Sequence, residues 1–156
     1  MRPSHWLAWL VAAALLAPSG SFAHRLAPSF LGLDVAANGD VDVVWKTPQV
    51  VARGARVEPV LPDHCSPKAE AAAVAEGTAW VTRLTIACGS AGLVGSTLAF
   101  TGLPESGTDA MVRIGFEDGR EIRAIVNRET PEFVVPDKER PGEVFVDYMT
   151  LGVEHL

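Results

Sequence analysis

The stretch Asp109–Val126, DAMVRIGFEDGREIRAIV, decides the fold class. Met111, Arg113 and Gly115 alternate with Val112, Ile114 and Phe116, and Ile122 and Ile125 follow the Asp118-Gly119 pair. Period-two alternation on either side of an Asp-Gly turn marks a β-hairpin. A helix would need apolar residues three and four apart.

Working outward, the same pattern recurs. SFLGLDV (29–35) sets Leu31, Leu33 and Val35 on one face, and VDVVWK (41–46) does so with Val41, Val43 and Trp45. Between them, the Asn38-Gly39 pair of AANGD can adopt positive φ and turn a second hairpin. Pro48 ends the second strand. ARVEPVL (55–61) is a weaker strand, in which Pro59 suits a sheet edge or a bulge. TAWVTRLTIAC (78–88) alternates with a change of phase near Thr82, which predicts a bulge. STLAFTGL (96–103) is a further strand, and PEFVVP (131–136) and EVFVDY (143–148) supply one or two last ones. SPKAEAAAVAEG (66–77) carries helix-forming residues and reads as one or two helical turns or a loop. Seven to nine short strands separated by turns predict an all-β, antiparallel sandwich of immunoglobulin-like class, with a closed barrel as the alternative. The Cys and Trp positions do not follow a true immunoglobulin pattern.

The chain opens on a different kind of segment. Arg2 precedes the apolar run WLAWLVAAALLA, Pro18, Ser19 and Gly20 break it, and Ser21 and Ala23 are small residues before His24. This is the pattern of a secretory signal helix cut after Ala23, and the run is short for a membrane span. Residues 1–23 are read as signal, 24–146 as a periplasmic β-sandwich domain and 147–156 as an apolar tail. Of 156 residues, removal of 23 leaves 133, enough for one domain with a real core. The signal holds Arg2 and no acid, so the net charge moves from −6 to −7 on cleavage. The acids are scattered and no basic stripe appears, which argues for solubility and against nucleic acid as a partner. In an exported chain, Cys65 and Cys88 are expected to form one disulfide. A thiol metal site or redox pair is the rival, and the spacing is far wider than C-x-x-C.

Four stretches carry a family resemblance: AHRLAPSFLGLDV (23–35), VVWKTP (43–48), GLVGSTLAFTGLPESGTDAMVRIGFEDG (92–119) and YMTLGVEHL (148–156). In order and spacing they resemble the exported β-domain of HupE/UreJ-type membrane proteins, the hydrogenase and urease accessory family. In that family a segment like LGVEHL runs on into a Gly-x-Asp-His motif and a bundle of apolar helices. The membrane part is where a metal would be handled, nickel in the best-known branch. This sequence holds no such helices, so the resemblance implies the exported domain alone. That is a non-enzymatic accessory or interaction domain, with an integral membrane protein or a membrane region outside this sequence as its partner.

Candidate chemistry is sparse. Cleavage after Ala23 would give His24 both an α-amine and an imidazole, a chelating pair for Cu or Ni that His64 or His155 could complete. In size, export and a leading His the chain also resembles the small periplasmic copper-resistance sandwich proteins, though the residues after His24 do not follow their pattern. The alternative function is therefore a free-standing copper-type chaperone. Asp63-His64 stands just before Cys65, and Glu154-His155 is a carboxylate beside an imidazole, which suits a divalent cation. For hydrolysis, Gly95-Ser96 lacks the G-x-S-x-G elbow, and Asp109 with Arg113 reads as an exposed ion pair.

Overall fold

A computed structural model describes residues 27–51 and 55–137. The signal segment with His24, the strand expected at EVFVDY, the apolar tail and the Glu154-His155 pair lie outside these residues.

Among the described residues, ten strands make two packed sheets. They are β1 (Ser29–Val35), β2 (Asp40–Pro48), β3 (Glu58–Val60), β4 (Ser66–Pro67), β5 (Val74–Glu76), β6 (Ala79–Ala87), β7 (Thr97–Thr101), β8 (Ala110–Phe116), β9 (Glu121–Val126) and β10 (Glu132–Val134). A four-residue helix, α1 (Leu103–Ser106), follows β7. The large sheet runs β4-β6-β2-β1-β8-β9, with β5 also pairing β6, and the small sheet runs β10-β7-β3. The all-β sandwich expected from the alternation is therefore what forms. One pairing is not antiparallel: β1 lies parallel to β8, Leu31 opposite Val112 and Leu33 opposite Ile114. Two hairpins, β1–β2 and β8–β9, thus stand side by side pointing the same way.

Both hairpins turn alike. The N–H of Gly39 donates to the carbonyl of Ala36, and Ala36 N–H to Asp40 O; Gly119 with Phe116, and Phe116 with Arg120, repeat this. Each is a three-residue loop closed by a glycine at positive φ, +82° at Gly39 and +85° at Gly119. Among the described residues no non-glycine residue has positive φ, so Asn38 does not adopt the conformation expected of an Asn-Gly pair. Its side-chain carbonyl instead accepts from the Asp40 N–H, and Asp118 does the same for Arg120.

The core lies between the sheets. Leu31, Leu33, Val41, Ile86, Leu98 and Ile114 are almost wholly buried, and Trp45 packs on Phe100 with ring centroids 6.0 Å apart. Each such side chain contributes about 1.5–3 kcal/mol by leaving water.

Two local expectations are corrected. The Ala-rich 66–77 stretch is not helical: β4 and β5 lie along one side of β6 as an interrupted edge strand. Lys68 N–H donates to Thr85 O, and Gly77-Thr78 turns β5 into β6. Sheet pairing here overrides helix propensity. The bulge expected near Thr82 is absent, since β6 pairs β2 residue for residue from Ala79 to Ala87. The change of phase has another cause. Ile86, opposite Val41, faces the core, whereas Val81 faces outward and is buried there beside Val74 of β5. No helix among the described residues is long and apolar enough to cross a membrane.

Candidate functional site

His64 is the one expected metal residue that the structure describes. It lies in the loop from β3 to β4, where Cys65 N–H donates to Pro62 O. Cys65 and Cys88 form the expected disulfide, with an S–S distance of 2.06 Å. Neither sulfur is therefore a thiolate ligand or free redox thiol. Gly92 O lies 2.8 Å from His64 Nε2. A carbonyl only accepts, so Nε2 is the donor, and in a neutral imidazole Nδ1 is then the acceptor nitrogen. The imidazole is exposed and anchored. Among the described residues no three His, Cys, Asp or Glu side chains converge as a metal site.

The outward face of the large sheet is built in rows, one residue per strand. Ile125, Met111, Phe30, Lys46, Val81 and Val74 form a mainly apolar row, followed by a row with Arg123, Arg113 and Arg83. A third row holds Glu121, Asp34 and Asp42. Arg113 donates from Nε to Glu121 at 2.8 Å and from Nη1 to Asp34 at 3.0 Å. This corrects the expected Asp109–Arg113 pair. Residues four apart on one strand are about 13 Å apart, whereas adjacent strands are about 5 Å apart. The Arg113 hydrogen bond, then that of Arg123, lowers the Glu121 carboxyl below its ordinary value, and Arg83 lowers Glu76 likewise. Glu121, followed by Asp34, raises Arg113. These groups are solvent-exposed ion pairs, each worth little.

An open concave region lies on one flank. The large sheet is six strand positions wide and the small sheet three. At about 4.8 Å per strand, the small sheet cannot cover the whole inner face. The uncovered part includes the Trp80 end of β6, while Ile86 at its other end stays in the core. Trp80, Thr82 and Leu84 share the inward face of that strand, and Trp80 is 44% exposed. Trp45, Thr47, Gln49, Val57, Pro59 and Trp80 line an open cleft of about 710 Å³, with Val51 exposed on its wall. A shallower hollow between Pro67, Ala69, Ala71 and Leu84 continues it along β6.

Pro59 governs what can enter. Phe100 turns its backbone to β10, donating to Pro131 O, so Ala99 and Thr101 pair with β3 through Val60 and Glu58. The backbone of Pro59 then faces the open flank with a carbonyl and no N–H. The edge is blunted against strand addition, and a guest in the cleft must bind through side chains. Sequence reading placed Pro59 at an edge but gave no sign of the cleft, because the residues that form it come from four separate stretches, 45–51, 55–59, Ala73 and 80–82.

Comparison with family models, characterised proteins and solved structures finds no match to this chain.

Proposed function

We propose that this chain is an exported, non-enzymatic accessory domain that docks a membrane partner, as the resemblance to the extracytoplasmic part of HupE/UreJ-type proteins implies. The observation that supports this reading is the uncovered flank: Trp80, Val51 and Pro59 border an open cleft that the small sheet does not reach. An amphipathic Trp in a concave, mainly apolar setting suits a protein partner. A structural disulfide fits an oxidising compartment. Export is tested by intact-mass measurement of the chain expressed with its own N-terminus. The expected product begins at His24 in the extracytoplasmic fraction; an uncut chain in the cytosol would overturn the proposal.

A second reading is a copper-type or nickel-handling chaperone. It is supported by His64, whose ring is held by Gly92 with Nδ1 available. Titrating residues 24–156 with Ni²⁺ and Cu²⁺, beside a version with one extra Ala before His24, tests it. Binding lost on extension assigns the site to His24. Binding kept in both moves it to His64 or to Glu154 and His155, and no binding in either removes the reading.

A further inference from the structure

We propose that Asn38 is a deamidation site that the fold holds closed through the contact of Gly39 with Cys88, so that loss of the Cys65–Cys88 disulfide is recorded there as aspartate or isoaspartate. The chemistry belongs to the Asn38-Gly39 pair. The Gly39 backbone nitrogen attacks Cγ of Asn38 and gives up its proton, and the side-chain nitrogen leaves as ammonia. A five-membered imide results. Water opens it at one carbonyl to give aspartate, or at the other to give isoaspartate, which carries one extra backbone carbon. Glycine has no Cβ to shield the attacking nitrogen. Asn38 is exposed, so water reaches the imide.

In the folded turn every participant is engaged. Gly39 N–H donates to Ala36 O at 3.1 Å. Asn38 Oδ1 accepts from Asp40 N–H at 3.0 Å, and Nδ2 donates to Asp40 Oδ2 at 2.8 Å. Asn38 is the third residue of the turn that the Gly39–Ala36 bond closes, a position with ψ of about 0° in a type I turn. Imide formation needs Asn38 Cβ and the Gly39 nitrogen eclipsed about the Cα–C bond, so Asn38 must rotate out of the turn. Gly39 is seated against that rotation. Its carbonyl accepts Cys88 N–H at 2.9 Å, and even a Cβ there would lie 2.4 Å from Gly89 O. Cys88 is bonded to Cys65, the next residue Ser66 pairs with Ala87, and Lys68 donates to Asp40. The disulfide thus clamps both segments that hold the turn. A dithiol reductant releases the clamp, becoming a disulfide itself while two cysteine thiols form. The mark is then permanent. Isoaspartate lengthens a loop that has no room at Gly89, and aspartate sets a carboxylate where Nδ2 donated to Asp40.

The test incubates the full chain at mildly alkaline pH with and without dithiothreitol, beside a synthetic peptide of residues 34–42, DVAANGDVD. Mass spectrometry of the Asn38 peptide reads the rate. The oxidised chain should deamidate at least about tenfold more slowly than the synthetic peptide, and reduction should speed it at least about tenfold, because only the opened turn reacts. Cys65→Ser with Cys88→Ser, free of reductant, should match the reduced chain. Amide exchange separates local opening from general unfolding. Gly119 N–H donates to Phe116 O in the matching turn, which the disulfide does not touch. On reduction, Gly39 N–H should exchange at least about tenfold faster and Gly119 N–H at an unchanged rate. An oxidised chain as reactive as the peptide, or a rate unmoved by reduction, would overturn the proposal. So would equal acceleration of exchange at Gly39 and Gly119, since the opening would then be that of the whole fold.

Discussion

The carbonyl of Gly39 accepts the amide N–H of Cys88 at 2.9 Å, so the β1–β2 turn lies directly against the segment that carries the disulfide. A Cβ on Gly39 would come within 2.4 Å of Gly89 O, at a φ of +82°. Gly119, in the matching turn, has the same φ region and no atom within 4 Å. Gly119→Ala should therefore cost about 1–2 kcal/mol for left-handed backbone. Gly39→Ala should cost at least about 1 kcal/mol more, the scale of overpacking. Urea unfolding of the two variants checks the difference, and equal losses would contradict the packing account.

Replacing Cys65 and Cys88 together by Ser should destabilise the fold. The cysteines are 23 positions apart, for which the chain-entropy model gives about 3 kcal/mol. The urea midpoint should fall accordingly. An unchanged midpoint would mean that the loop is held by its other contacts, such as His64 with Gly92.

The two cleft tryptophans should separate stability from recognition. Trp45 is 7% exposed and packs on Phe100, so Trp45→Ala should cost about 3–5 kcal/mol. Trp80→Ala should cost about 1 kcal/mol or less. Thermal melts of the two variants decide this, and a large loss at Trp80 would make it a core residue.

Acid should weaken the outward face. Arg113 and then Arg123 depress the Glu121 carboxyl in the folded chain. Its contribution is fully present above its ordinary value of 4.5 and is lost as pH falls through the lower folded value. Lys68 does the same for Asp40, from 3.8 downward. Unfolding midpoints measured from pH 6 downward should therefore fall less steeply in Glu121→Gln than in the parent, and the difference should shrink in high salt. Parallel profiles would show that these pairs add nothing.

What was legible in the sequence was local. Alternation in 29–35, 41–46 and 110–116 marked strands because one face of each must be buried, and two glycines marked the turns. The two cysteines announced their bond once export was inferred. What was not legible depends on pairing between distant segments. The parallel contact of β1 with β8 joins residues about eighty positions apart. The Ala-rich stretch looks helical until β6 offers it an edge, and Val81 looks out of phase until Val74 covers it. The partners of Arg113 likewise come from β1 and β9. The flank cleft appears only when two sheets of unequal width are stacked.

The most direct test of a docking role is photo-cross-linking in the cell that makes the protein. A photo-reactive side chain would stand at position 80 in one chain and at position 101, on the far face of the small sheet, in another. The account predicts an adduct from position 80 that stays with the membrane through carbonate extraction, none from position 101, and loss of the first when Val51→Asp is added. Adducts of equal yield from both positions, or none from position 80, would contradict it.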